Sequence, residues 1–219
     1  MPLAGGTGRT RVNRFALIFL LSTLPILGAA QSDAPVRKPE IRVGDSWTYR
    51  SINLLVSGTH EHETRVSFID DKVILAVSTR RSDGKEFDSS WTPEWNAVNS
   101  YSGLMYRPHT GAFRFPLRVG DEYEVKYELL RPRDNTVVNN TTRTVKVVGW
   151  ETVEVPAGRF RAIKLVAEGL VQPLDGSNAW RQQITYWYDP GVRRWVKVQN
   201  VFPKFTASEE LLEYKLKED

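Results

Sequence analysis

Histidine, carboxylate and aromatic side chains are the residues of this chain whose types and spacing suggest chemistry. His60 and His62 are two residues apart, so a strand would place both imidazoles on one face, and His109 is the third histidine. Three imidazoles are enough ligands for zinc. However, nothing in the sequence brings His109 to the other two, and the alternation with glutamates favours a solvated hairpin strand. We therefore predict no metal site and no cofactor.

Carboxylate pairs, such as Asp88 with Glu94 or Asp45 with Asp121, suggest glycoside hydrolysis. A glycosidase holds two carboxyl groups about 5–10 Å apart. Asp45 and Asp121 both follow a glycine in turn sequences, where aspartate is common for conformational reasons. The sequence contains no cysteine, no Gly-x-Ser-x-Gly motif and no glycine-rich phosphate loop that opens a helix. We predict no catalytic residues, and a hydrolase of envelope glycans is the alternative.

Aromatic residues are the remaining candidates, and seven of them are tryptophans. Packing in the core is the simplest interpretation, because each large ring buries much apolar area. The rings are dense between Asp88 and Pro116, where they could instead line an apolar groove. We predict that five aromatic residues contact a ligand: Trp91, Trp95, Tyr101, Tyr106 and Trp187.

The N-terminus has the pattern of an export signal. Arginines precede an apolar run from Phe15 to Leu27, and Gly28-Ala29-Ala30 supplies small residues before a cleavage point. The run is short and interrupted by polar residues, so an uncleaved anchor is the weaker alternative. We predict a signal peptide at residues 1–30, a flexible leader at 31–40 and a single β-rich domain at 41–219.

Charge and cysteine content restrict the partners. The chain has 30 basic and 26 acidic residues, and Arg9, Arg11 and Arg14 of the signal account for most of the excess. The remainder is nearly neutral and gives no electrostatic argument for nucleic acid or an anionic membrane surface. Without cysteine there is neither a disulfide nor a site for lipid attachment after the signal. We predict a soluble periplasmic domain with no stable membrane span after cleavage.

Short strands and turn signals predict an all-β fold. Two strand pairs are clearest, one turning at Pro156-Ala157-Gly158 and the other at Asp189-Pro190-Gly191, where Gly191 would take a positive φ. Residues 93–99, after a cap-like Thr92, could form at most a short helical turn. The last segment, 211–216, alternates apolar and charged residues and is predicted to be a strand, with a helix as the alternative.

The sequence Arg-Val-Gly-Asp occurs twice, at Arg42–Asp45 and Arg118–Asp121, each time followed by an aromatic residue two positions on. Farther along, Arg65–Phe68 can be aligned with Arg143–Lys146. We predict an internal duplication with repeats near 41–96 and 117–198. The predicted architecture is a curved antiparallel sheet or partial β-barrel built from these two strand units.

Several segments resemble a family of uncharacterised periplasmic proteins of proteobacteria. They are FPLRVGDEYEVKYEL, WETVEVPAGRFRAIKLVAEG, ITYWYDPGVRRWVKVQ and the closing ELLEYKL. The family pattern has Trp where this chain has Tyr123. The family is similar in architecture to the periplasmic half-barrels that carry lipoproteins, so the resemblance implies an apolar cavity and implies no catalytic residue or cofactor.

The predicted function is therefore non-catalytic binding in the periplasm. The ligand would be a hydrophobic or lipid-like molecule or an envelope protein. Besides the glycan hydrolase, the sequence leaves open a structural or assembly factor that binds only protein. The ligand-binding residues are expected in the irregular stretch between the repeats, set against the inward face of the sheet.

Overall fold

Twelve antiparallel β-strands make up the fold in the computed structural model, which describes residues 34–53, 58–100 and 103–218. The all-β prediction is confirmed. Consecutive strands are hydrogen-bonded neighbours and β1 also pairs with β12, so the sheet closes into a barrel. The strands are β1 Ser46–Asn53, β2 Gly58–Ile69, β3 Ile74–Arg80, β4 Glu86–Trp91, β5 Ala97–Asn99, β6 Met105–Arg107, β7 Glu122–Arg131, β8 Thr136–Val155, β9 Gly158–Pro173, β10 Trp180–Asp189, β11 Arg194–Val201 and β12 Thr206–Lys215.

Alternation of side chains along each strand determines what fills the barrel. In β8, Thr141, Arg143, Val145 and Val147 are buried, whereas the residues between them are exposed or half-buried. A strand places successive side chains on opposite faces, so this set points into the barrel. The inward set of β8 is apolar toward one end and polar toward the other. The barrel therefore has a packed end and a polar-lined end.

The first Arg-Val-Gly-Asp turn delivers the chain into β1. Gly44, at φ 90°, donates its N–H to Val66 O at 2.8 Å, and Val66 N–H returns a bond to Asp45 O at 2.9 Å. A β-bulge follows Val66 directly, because the next residue that pairs with β3 is Phe68. The turn thus fixes the register of β1 on β2.

The second such turn, before β7, has the same backbone geometry. Gly120, at φ 92°, donates to Val147 O at 2.8 Å, and Val147 N–H donates to Asp121 O at 2.9 Å. A bulge again follows, since pairing to β9 skips from Val147 to Gly149. Val147 therefore lies opposite the second turn in the same way as Val66 lies opposite the first. If these two valines are equivalent, then Arg65 and Arg143, which the sequence comparison aligned, are not at equivalent positions.

A long connection between β6 and β7 folds across one end of the barrel. Asn96 clamps it with two bonds to one residue: its Nδ2 donates to Phe113 O and its Oδ1 accepts from Phe113 N–H, both at 2.8 Å. Leu117 then forms an antiparallel bridge with Val36, and both side chains are buried. This end of the barrel is therefore filled by the protein's own side chains.

The segment at residues 93–99 forms no helix. Thr92 does cap the backbone as predicted, because its Oγ1 accepts hydrogen bonds from Glu94 N–H at 3.3 Å and Asn96 N–H at 3.2 Å. However, Trp95 adopts φ 64°, which is incompatible with a continuing right-handed helix. Ala97 to Asn99 form β5 instead.

The turn between β10 and β11 differs in detail from its prediction. Asp189 Oδ1 accepts from Gly191 N–H at 2.8 Å and from Val192 N–H at 3.0 Å. The positive φ belongs to Arg193, at 63°, and not to Gly191. The C-terminal strand is confirmed, and it is longer than predicted because β12 begins at Thr206.

Candidate functional site

A cavity of about 440 Å³ lies inside the barrel. Nearly all strands contribute to its wall, including the end of β1 at Ser51–Asn53 and the start of β12 at Ala207–Glu209. It therefore lies toward the end at which β1 leads into β2, away from the end filled by Phe113 and Leu117. The barrel thus encloses a chamber that is packed at one end and open toward the other.

The larger part of the chamber wall is aromatic and aliphatic. Its rings come from β4, β6, β7, β10 and β11 and from the β4–β5 connection. Aliphatic side chains of β7, β9, β10 and β11 fill the gaps between them. The members include Trp91, Trp95, Tyr106, Leu129, Tyr127, Val171, Trp180, Ile184, Tyr186, Trp195 and Val198. Such a wall suits an apolar or flat ligand.

A buried arginine lies among the rings at the inner end of the chamber. Arg194 is 3% exposed, and its guanidinium carbon is 4.3 Å from the ring centroid of Trp195 and 4.4 Å from that of Trp95. Trp47, Trp91 and Tyr49 complete the cage at 5.1, 5.3 and 5.5 Å. Aromatic faces are electronegative, so they stabilise the cation where water is excluded.

Hydrogen bonds fix these rings at the inner end. The indole Nε1 of Trp47 donates to Val192 O at 2.9 Å, and that of Trp95 donates to Arg193 O at 2.8 Å. The hydroxyl of Tyr49 donates to Trp195 O at 2.7 Å. The rings are thus tied to the β10–β11 turn and the start of β11, which holds the wall of the chamber rigid.

A second arginine lies on the opposite, polar part of the wall. Arg143 of β8 is 6% exposed, and its Nη2 donates a hydrogen bond to Gln182 Oε1. Gln182 in turn donates to Asn200 Oδ1 at 2.7 Å. The guanidinium carbon of Arg143 also lies 5.4 Å from the ring centroid of Tyr127. Three strands therefore hold this guanidinium at the chamber wall.

Gly169 of β9 is the strand partner of Arg143. A Cβ atom at Gly169 would lie 2.6 Å from Arg143 Cα and 2.9 Å from Arg143 Cγ, which is closer than real atoms approach. The absence of a side chain there allows the two backbones to approach closely beside the arginine.

Two further ionisable residues lie near the chamber. Glu209 of β12 is in its wall and accepts a hydrogen bond from Ser51 Oγ at 3.3 Å. His62 of β2 is 4% exposed and its ring stacks on Tyr49, with centroids 5.9 Å apart. The prediction of a solvated strand is therefore wrong for His62, although His60 is exposed as expected.

Burial controls the titration of these groups. Loss of solvent lowers the pKa of His62 below its usual value, and Glu209 opposes that effect. Burial raises the pKa of Tyr106 to about 12, and it raises the pKa of Tyr127 and Tyr186 as well, while Arg143 opposes each of these increases. The tyrosine hydroxyls of the chamber are therefore protonated at neutral pH and can donate hydrogen bonds.

The structure brings three of the five predicted ligand-binding residues together. Trp91, Trp95 and Tyr106 all line the chamber. Tyr101 lies outside the described residues. Trp187 is placed elsewhere: its Nε1 donates to Glu151 Oε2 at 2.8 Å, in a cluster with two lysines.

The polar part of the wall was missed by sequence reasoning. Arg143, Gln182 and Glu209 occupy inward positions of three different strands and line the same chamber. The signal available in the sequence was Arg143 itself, a charged residue that shares one face of β8 with the buried Val145 and Val147. Closure of the barrel was needed to show that these strands meet around one chamber.

The geometry gives little support for the carboxylate and metal chemistry that was considered from the sequence. Asp45 is fully buried and ion-paired, with Oδ2 3.1 Å from Arg193 Nη1. Among the described residues, no group of three or more histidine and carboxylate side chains is placed to hold a metal ion. Within the same residues no helix is long and apolar enough to cross a membrane.

The comparisons with known proteins indicate the fold. No protein-family model and no curated protein matches the chain. A Parabacteroides distasonis protein described as a lipoprotein is similar in structure, with a TM-score of 0.52, 12% identity, and coverage of 83% of this chain and 100% of that one. A Bacteroides fragilis protein, described as exported and YmcC-like in fold, has a TM-score of 0.51, 16% identity and the same coverage. At such identities the likeness shows a shared fold alone.

Proposed function

We propose that this protein is exported and binds one apolar or lipid-like small molecule inside its barrel, without catalysing a reaction. The observation that carries the proposal is the chamber of about 440 Å³ whose wall is mainly aromatic and aliphatic. Cavities of roughly 300–1,000 Å³ with such walls are the usual form of small-molecule sites. The volume suits one ligand of modest size.

The enclosure of the chamber favours a small molecule over an envelope protein. Its wall consists of strands that are hydrogen-bonded to each other all the way around. A folded protein could contact only the open end of the chamber, whereas an apolar hydrocarbon chain could enter the chamber and be surrounded by its wall. Burial of apolar surface contributes about 25 cal/mol per Å², so a surrounded chain gains more than one held at the rim.

Export is supported by the N-terminal sequence. The arginines, the apolar run and the small residues before Gln31 are in the order that a signal peptidase accepts. One of the two similar structures is described as exported and the other as a lipoprotein. The periplasm is the proposed location.

Native mass spectrometry of the protein purified from the periplasm tests the binding proposal. We expect a co-purifying small molecule, or uptake of one equivalent of decanol by the delipidated protein. Ala207→Trp should abolish uptake, because Ala207 lines the chamber and an indole there would occupy it. Val148→Trp is the control, since Val148 is 50% exposed on the outside. A clean apo mass and no uptake of any apolar compound would refute the proposal.

A further inference from the structure

Arg143 has more hydrogen-bonding capacity than the protein satisfies. Its Nη2 donates to Gln182, but its Nε is buried and has no acceptor among the described residues. A buried donor without an acceptor costs free energy, because water satisfied it in the unfolded chain. The side chain is 6% exposed and belongs to the chamber wall. The guanidinium therefore lies at the chamber wall with more N–H groups than the described residues satisfy.

Arg143 also forms no direct ion pair with any described carboxylate. Glu209 is the carboxylate in the wall of the same chamber, and it accepts the hydroxyl of Ser51. Glu209 acts on the titration of Tyr49 and His62 together with Arg194, and on that of Tyr186 together with Arg143. Arg143 thus shares the chamber with one carboxylate but forms no direct ion pair with it.

The chamber offers other donors in addition to Arg143. The indole Nε1 atoms of Trp180 and Trp195 are buried without an acceptor among the described residues, and both residues line the chamber. The hydroxyls of Tyr106, Tyr127 and Tyr186 belong to the same wall. Such a wall is rich in N–H and O–H groups, so its complement is a group with several acceptor oxygens.

We propose that Arg143 anchors a carboxylate and that the ligand is a single-chain carboxylic acid whose apolar part lies against Trp91, Trp95 and Ile184. This inference depends on the proposed function, because it specifies the headgroup of the same ligand. A guanidinium matches a carboxylate in shape and charge. One arginine without a direct ion pair balances one negative charge, whereas a phosphate monoester carries about −1.5 to −2 at neutral pH. The carboxylate is the better match.

Matched ten-carbon ligands test the headgroup by calorimetric titration of the delipidated protein. We expect decanoate to bind at least about ten-fold more tightly than decanol, and decylamine to bind most weakly. In Arg143→Gln the preference for decanoate over decanol should disappear. Arg181→Gln is the matched control, because Arg181 is an exposed arginine of β10 that pairs with Glu168 on the outside. That variant should keep the preference.

The outcomes separate the headgroup from the binding function. If decanoate and decanol bind wild type equally well, the headgroup assignment is wrong while binding stands. If decyl phosphate binds more tightly than decanoate, the carboxylate assignment is wrong as well. If none of these compounds binds, the proposed function fails first. Should Arg143→Gln not fold, the comparison of headgroups on wild type still decides the question.

Discussion

Arg194 explains why this barrel contains so many tryptophans. Trp47, Trp91, Trp95 and Trp195 all lie within 5.3 Å of its guanidinium carbon. A charge in an apolar interior is costly, and the faces of aromatic rings reduce that cost. Trp91 and Trp95 therefore have two roles, because they enclose the arginine on one side and form the chamber wall on the other.

His62 should make the stability of the protein depend on pH. Burial lowers its pKa in the folded state, with Arg194 and His60 adding to the effect and Glu209 opposing it. An unfolded histidine titrates with a pKa of about 6.5. As the pH falls through that value, the unfolded chain takes up a proton that the folded chain takes up only at lower pH. The free energy of unfolding therefore decreases from about pH 6.5 downward until the folded pKa is passed.

Urea denaturation near pH 7.5 and near pH 5.5 measures this contribution. We expect the midpoint of wild type to decrease between the two, and His62→Gln to reduce the size of that decrease. His60→Gln should change the decrease less than His62→Gln, because His60 is exposed on the same strand and acts on His62 only through its charge. An equal decrease in wild type and His62→Gln would show that His62 is not responsible.

At the scale of elements, the two Arg-Val-Gly-Asp turns are the most regular feature of the molecule. Each turn is bonded to a valine of the neighbouring strand that lies one position beyond the first residue pair of the strand it leads into, and a bulge follows that valine in both cases. The correspondence supports the duplication expected from the sequence, which stays a prediction. It would align Val66 with Val147, because hydrogen bonding defines equivalence more directly than residue identity.

The side chains of the two turn aspartates have different roles. Asp45 Oδ1 accepts from Lys217 N–H at 2.7 Å, and Oδ2 accepts from Arg42 N–H at 3.0 Å and pairs with Arg193. The carboxylate thus joins the start of β1, the end of the chain and the β10–β11 turn. Asp121 is half-buried and lies outside this network.

Replacing Asp45 should therefore destabilise the fold much more than replacing Asp121. We expect Asp45→Asn to cost about 3 kcal/mol, near the lower end for a broken buried ion pair, because Arg193 keeps some solvent contact. Asp121→Asn should cost less than about 1 kcal/mol. Chemical denaturation of both variants gives the comparison, and similar costs would mean that the ion pair contributes little.

At the scale of the whole molecule, pairing of β1 with β12 removes the free edges of the sheet. The register runs from Ser46 opposite Lys215 to Asn53 opposite Ala207. Unpaired strand edges promote association between chains, and complete closure avoids them. The closing pair is therefore expected to keep the protein monomeric.

Removing β12 tests that expectation. A chain ending at residue 204 exposes the edges of β1 and β11, so we expect oligomers or aggregates and loss of cooperative unfolding. Light scattering coupled to size exclusion, together with a thermal unfolding curve, would detect both effects. A chain that lacks only residues 218 and 219 is the control and should resemble wild type. A monomeric, cooperatively folded truncation would show that closure is dispensable.

The sequence was sufficient to predict the all-β fold class, but it was insufficient to predict the chamber and the polar residues in its wall. Period-two patterns and turn residues predicted the all-β fold correctly, because both are local properties. The short strands β5 and β6 and most of β4 lie in the stretch from residue 88 onward that was expected to be irregular. The helical turn after Thr92 failed because Asn96 clamps the chain to Phe113, a contact formed only in the folded barrel. Arg143 was missed for a related reason, since a polar residue on one strand indicates a site only when the strands around it are known.

Closure also determines the order in which the chain can complete its fold. During synthesis, residues 46–53 emerge well before residues 206–215. The seam of the barrel joins these two segments, so β1 gains its second neighbour only after β12 has been made. Throughout that interval β1 has one edge open to other chains, and a nascent molecule is most vulnerable to mispairing there.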